Sequence, residues 1–311
     1  MNDTSDKESP TSCEIIAKET LVIVEHEGLR IDRYCFKAFE AFTSKNQARK
    51  ALKRGEILVN GEIVETSRFV KLGDEIRFLG ENLPQPKKPY MMELNIPYED
   101  DFMAIVEKPS GIVVNGNKFR TLQNTLPANL KESSQPDRMP FPRPVHRIDA
   151  PTSGLVIIAK TRAAMASLGR LFENRLIEKR YIAIVIGRLE GEGSVDLDIE
   201  GRSALSHWSV LSHTRSLRSE WLTTVDLSPI TGRTHQLRVH MAHIGHPILG
   251  DGQYGKEGMV LKHKGVFLRA KSLAFQHPLT GEPIEVDIGE PSKFESLRAR
   301  EERRWGNYNP K

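Results

Sequence analysis

The sequence predicts an α+β protein, a mixed and largely antiparallel sheet with a few helices packed on it, preceded by a small α+β module. Beyond residue 90, short β-rich runs recur too often, with turns too tight between them, for a doubly wound parallel sheet. Before residue 80, two helical periodicities are followed by Asn60-Gly61 set between β-branched runs, a strong hairpin signal. Between the two regions lies LPQPKKP, residues 83–89, whose three prolines and two lysines suit a semi-rigid linker rather than a packed element.

Residues 1–20 are polar and lean acidic, and read as a disordered tail. The module spans 21–82. Ile31, Cys35, Ala38, Phe39 and Phe42 recur at helical spacing from Leu29 to Phe42, and Ser44 is placed to cap a second helix that runs to Arg54 and stops at Gly55. Ile57 to Val64 forms the hairpin and Ile76 to Leu79 a third strand. Lys45, Arg49 and Lys53 fall on one stripe of the second helix, with Lys50 and Arg54 close by and no acid among residues 45–54. In the larger domain, 90–290, strands are expected at 102–106, 111–114, 155–159, 181–187 and 221–227. A helix capped by Thr161 runs to about Asn174 with Met165, Leu168, Leu171 and Phe172 as its apolar stripe. Residues 116–144 read as a long proline-rich loop, and 291–311 as a basic C-terminal tail holding a surface helix.

With 311 residues, two domains and a sizeable core are affordable. The formal charge of +4 is small, so the local basic face of the module says more about partners than the total does. No stretch approaches the length of a membrane span or a signal-peptide core, and the two cysteines, Cys13 and Cys35, cannot build a disulfide framework. These features predict a cytoplasmic chain, and nothing in them demands more than a monomer.

The segment PVHRIDAPTSGLVIIAK, Pro144 to Lys160, runs a polar turn straight into an apolar strand, which sets Asp149 at the mouth of the sheet. Taken alone, an Asp in such a turn commonly caps backbone donors, Arg147 pairs with a surface acid, and Tyr181 in a strand belongs to the core. Arg238 taken alone is a phosphate contact or an ion pair.

The order of segments changes that balance. His146 to Gly154 resembles the signature of the RluA-type pseudouridine synthase family, with Ile148 where the family has leucine. Tyr98 to Val114 resembles the family's opening hairpin, and Lys179, Tyr181, Ala183, Val185 and Gly187 its alternating strand. Leu227 to Asp251 resembles its third motif and Leu273 to Glu282 its closing hairpin. The N-terminal module is similar to the S-four-like RNA-binding domain that often precedes this catalytic domain.

The resemblance implies a pseudouridine synthase fold that isomerises uridine in structured RNA without cofactor or metal. It makes Asp149 the catalytic carboxylate, Arg238 the cation that holds it, with Arg233 a second candidate, and Tyr181 the residue that stacks on the target base. Arg147 is the arginine that enters the helix as the uridine leaves it. Arg147, His146 and Arg233, with Lys45, Arg49, Lys50 and Lys53 of the module, are the implied RNA contacts. A buried carboxylate needs a fixed cation to stay charged, and a duplex-embedded uridine must be flipped out before a carboxylate can reach it. Ribosomal and transfer RNA both fit, and the N-terminal module favours ribosomal RNA. Two departures stand out: Asn115 replaces a histidine found in many members, and the 116–144 loop is unlike the better-known bacterial members.

Two rival readings exist. His235, His240, His243 and His246 lie close together, but no HExxH or cysteine pair accompanies them, so a metal site is not expected. A non-catalytic RNA-binding ribosome-assembly factor would use the same basic surfaces, but has no need of a carboxylate beside RNA phosphates.

Overall fold

The structure is a computed structural model that describes residues 20–24, 28–53, 55–78, 89–116, 118–255 and 265–309. The expected disordered tail, apart from Thr20, and the linker, apart from Pro89, lie outside the described residues. The chain divides into two compact units, Met1–Lys87 and Lys88–Lys311.

In the first unit, β1 (Thr20–Ile23) precedes α1 (Ile31–Ala38), α2 (Lys45–Lys53), the hairpin of β2 (Ile57–Val59) and β3 (Glu62–Ile63), and β4 (Glu75–Phe78). Helix α1 is shorter than its periodicity suggests: Phe39 is already extended, and Phe42 reaches the core from the turn beyond. Phe39, Phe42 and Phe78 pack ring against ring, with centroids 4.7 to 6.0 Å apart. Ser44 Oγ accepts the Gln47 N–H at 3.3 Å, the cap that the sequence suggests for α2. The sheet order is β1-β4-β2-β3; β1, absent from the sequence reading, pairs antiparallel with β4. Leu79 lies outside the described residues.

The second unit is built on one large sheet. Its elements are β5 (Tyr98–Glu99), β6 (Met103–Lys108), α3 (Leu122–Asn129), β7 (Arg138–Pro144), β8 (Ser153–Thr161), α4 (Arg162–Glu173), β9 (Glu178–Ile186), β10 (Glu192–Asp196), β11 (Leu205–Ser216), β12 (Glu220–Pro229), α5 (Gln236–His243), β13 (Leu268–Gln276), β14 (Pro283–Asp287) and α6 (Ser292–Tyr308). The strand order is β10-β11-β12-β9-β13-β8-β6-β5, with β14 on β13 and β7 on β8. Among the described residues, β8 and β13 are the only named strands that pair in parallel; the sheet is therefore mixed and largely antiparallel, as the sequence predicts.

Strand β8 is buried along its whole length, and alternation divides it between two cores. Leu155, Ile157 and Ala159 join Leu168 of α4, while Val156 and Ile158 join Leu122 and Leu126 of α3. Strand β9 does the same: Ala183 and Val185 meet α5, while Ile182, Ile184 and Ile186 meet Phe294 and Leu297 of α6. Thr161 caps α4, its Oγ1 accepting the Ala164 N–H at 3.2 Å.

Three expectations are corrected. Residues 111–114 form a bend carrying a single bridge, Val113 to Thr121, because Gly111 takes a positive φ and turns the chain away from the sheet. Residues 116–144 are not a plain loop: they hold α3, which tolerates Pro127, and β7, whose prolines are accommodated on an irregular pairing with β8. Residues 291–311 contain α6, whose Phe294 and Leu297 are buried, so this segment is part of the packed unit rather than only a basic tail.

Candidate active site

Asp149 sits in the turn that feeds β8, and the turn is clasped from behind. Its own carbonyl accepts the Thr152 N–H at 3.1 Å. Lys108, fully buried at the end of β6, donates its ammonium to the carbonyls of Pro109, Ile112 and Ala150 at 2.8, 2.9 and 3.2 Å. Ser110 Oγ donates to Pro151 O, and Gly111 N–H to Ala150 O. Burial brings the Lys108 ammonium down to about 8, with the Asp149 charge acting the other way. The turn opens directly into Gly154, with φ +117°, where a Cβ would stand 2.2 Å from Ala270 O of β13. Only glycine lets the two strands meet there.

The cation comes from α5. His235, in the left-handed region at φ 57°, starts this helix, and Gln236 locks the entry by accepting from Thr231 Oγ1 at 2.6 Å and from Arg233 N–H at 3.0 Å, while donating to Leu205 O and Ser206 Oγ. One turn in, buried Arg238 gives Nε and Nη2 to the two oxygens of Asp251 at 2.7 and 2.8 Å, and Nη1 to Asp149 Oδ2 at 3.3 Å. Burial opposes the guanidinium charge, but Asp251 first and Asp149 second outweigh it and hold Arg238 above its ordinary pKa. Burial alone would raise Asp251; the bonds from Arg238 and from the Gln253 and Tyr254 N–H groups keep it below the usual carboxylate range. His235 Nε2 lies 3.8 Å from Asp149 Oδ1, its Nδ1 pairs with Tyr254 Oη at 3.0 Å, and Arg238 lies over the Tyr254 ring.

These groups face a cleft of about 310 Å³. Tyr181 and Lys179, two apart on β9, line one wall with Phe172 and His146; Arg147, Arg233 and Leu268 line others. Burial and the nearby Asp149 charge push the Tyr181 phenol up, so it stays protonated well above neutrality. His146 Nε2 accepts the Ile157 N–H at 2.9 Å and its ring packs 4.7 Å from Phe172; burial first, then Lys179, pushes it down to about 3. Arg147 is exposed and lies at the cleft.

The structure thus gathers Asp149, Tyr181, Arg238, Arg147, Arg233 and His146 around one cleft. Of the two arginines offered as the Asp149 partner, it is Arg238; Arg233 donates its Nε to Ser203 O instead. Lys45, Lys50 and Lys53 are exposed on α2 of the first unit, whereas Arg49 is tied to buried Asp32 at 2.7 Å. Sequence reasoning missed Asp251, His235 and Lys108. Asp251 ends the quoted motif and His235 lies in its RTHQLR stretch, but an Asp after glycine reads as a turn and a lysine as surface. The clustered histidines diverge: His235 faces Asp149, while His240 and His246 engage the Leu197 and Ile186 carbonyls. Among the described residues no three His, Cys, Asp or Glu side chains converge on a metal-sized site, and no helix is long and apolar enough to cross a membrane.

Comparison with known proteins places the chain in a family. The RNA pseudouridylate synthase family model matches residues 102–243, and the S4 domain model residues 29–76. An uncharacterized RNA pseudouridine synthase of Aquifex aeolicus is 36% identical over 304 residues, covering 88% of this chain and 94% of its own. The ribosomal large subunit pseudouridine synthase D of Vibrio cholerae is 32% identical over 292 residues, covering 85% and 88%. The structure of human RNA pseudouridylate synthase domain containing 1 superposes with a TM-score of 0.54 at 29% identity, covering 64% of this chain and 84% of its own. With its carboxylate–arginine cleft on a mixed sheet and an S4 domain ahead of it, this chain belongs to the RluA-type RNA pseudouridine synthase family and is an isomerase acting on RNA.

Proposed function

We propose that the chain isomerises uridine to pseudouridine in large-subunit ribosomal RNA, with Asp149 as the catalytic carboxylate. One observation supports the chemistry: Asp149 faces the cleft, paired with a guanidinium that Asp251 clamps from the other side. Removing Arg238 would leave two carboxylates facing one another, so the pair is an organised charge and not a chance surface contact.

In the reaction the bond from ribose C1′ to uracil N1 breaks, the base turns, and C1′ joins C5. The C5 proton departs and N1 gains one, so nothing is consumed and no co-reactant is needed. The Asp149 carboxylate supplies the nucleophile, acting on the sugar or on the base, and Arg238 disperses its charge. Tyr181 offers a flat ring to the uracil. As a protonated phenol it serves the C5 proton as a relay rather than as a standing base. Arg147, exposed at the cleft, suits the space left when the uridine is extruded, a step that costs a few kcal/mol. Lys45, Lys50 and Lys53 suit phosphate contacts whose strength falls with salt.

The relatives named ribosomal large subunit pseudouridine synthase D favour ribosomal over transfer RNA as the target. Pseudouridine mapping across all RNA, in cells with and without the protein, tests the target. Loss of sites confined to large-subunit ribosomal RNA is expected. Loss confined to transfer RNA would overturn the target, and no loss at all would favour the assembly-factor reading.

A further inference from the structure

Lys179 faces the cleft from β9, two residues before Tyr181 and so on the same side of the strand. It is half-buried, and among the described residues its ammonium has neither an ion pair nor a hydrogen bond. Its charged neighbours are unfavourable: Arg175, held at a left-handed φ of 58° just after α4, repels it. Arg147, which has no ion pair among the described residues, brings another cation to the same cleft. Burial first, then Arg175, holds the Lys179 ammonium below its ordinary pKa. The fully buried cations of the unit have partners: Lys108 has three carbonyls, Lys160 has Glu99 at 2.9 Å, Arg269 has Glu107 at 2.7 Å and Arg238 has two carboxylates. Lys179 is left without such a partner on the wall of the cleft where RNA enters.

We propose that Lys179, with Arg175 and Arg147, forms a phosphate site that holds the RNA backbone beside the uridine in the cleft. The acid that lines the cleft, Asp149, is already paired with Arg238, and among the described residues no acid pairs with Lys179, Arg175 or Arg147, so these cations call for an anion; a uracil carbonyl would satisfy one donor and leave the excess charge standing. The lysine would thus fix the sugar-phosphate of the extruded nucleotide while Tyr181, one pleat along, meets its base. This inference rests on the uridine entering that cleft.

The test compares the full-length parent with Lys179→Met and Lys179→Arg, all checked for folding by thermal melting, in binding to unmodified transcripts of large-subunit ribosomal RNA and of transfer RNA. Affinity is measured from about 50 to about 200 mM salt, and pseudouridine formation is read in the same samples. One lost phosphate contact should lower the slope of log affinity against log salt by about 1 in Lys179→Met, with Lys179→Arg restoring it. If Lys179→Met does not fold, Lys179→Gln carries the same comparison. An unchanged slope in a folded variant while the parent makes pseudouridine overturns the phosphate site. A lowered slope with no pseudouridine from the parent would instead sink the isomerase reading and leave the phosphate site standing. An unchanged slope with no pseudouridine overturns both.

Discussion

Arg238 directs two donors at Asp251 and one at Asp149, so the orientation of the cation in the cleft is set by a residue that does not face substrate. Asp251→Asn keeps the shape but removes the charge that anchors the guanidinium, and small misplacements in such a site cost on the order of 100-fold in rate. The variant should therefore lose roughly that factor in kcat while its RNA affinity stays near the parent's; an unchanged kcat contradicts the clamp. His146 illustrates a different physical effect. Its Nε2 must stay unprotonated to accept the Ile157 N–H, and its pKa of about 3 lies below the ordinary 6.5. The unfolded chain thus takes up a proton that the folded one refuses. The stability this contributes is complete above pH 6.5 and is lost as pH falls from 6.5 towards 3. Chemical denaturation at several pH values should show that decline in the parent and a flatter one in His146→Gln. A parallel decline in both would remove His146 as its cause.

At the scale of elements, the meeting of β8 and β13 decides whether the Asp149 turn is held in place. Gly154 carries both a positive φ and an approach to backbone that leaves no room for a methyl group, whereas Gly61 in the β2–β3 turn has a positive φ and open space. Gly154→Ala should cost about 3 kcal/mol or more and abolish activity, while Gly61→Ala should cost about 1 kcal/mol, measured by denaturant midpoints. Equal costs would mean that the close approach is not what the glycine serves. Elements whose signals are local were legible. Thr161 and the Met165, Leu168, Leu171, Phe172 stripe describe α4 because cap and periodicity lie within one segment. Strand β7 and helix α3 were hidden because Pro140, Pro142 and Pro144 argue against a strand away from a sheet edge, and Pro127 argues against a helix that carries it beyond the first turn.

At the scale of the whole molecule, the sheet class followed from how often short strands recur, but the order in which they pair did not. Strand β13 comes late in the chain yet lies between β8 and β9, a placement with no local signal. The same limit applies to the site. Asp149 and Arg238 are 89 residues apart in sequence and 3.3 Å apart in space, and only the ordered family motifs connected them in the sequence. Asp251 and Lys108 lie inside such family-like segments, yet their roles were not legible there, because they depend on carbonyls and a guanidinium delivered by other elements.

The proposed isomerisation depends most on what the Asp149 carboxylate does. Purified parent and Asp149→Asn proteins, incubated in excess over unmodified large-subunit ribosomal RNA, should bind it equally, and only the parent should convert uridine to pseudouridine. Conversion by Asp149→Asn at a rate near the parent's would contradict a catalytic role for this carboxylate.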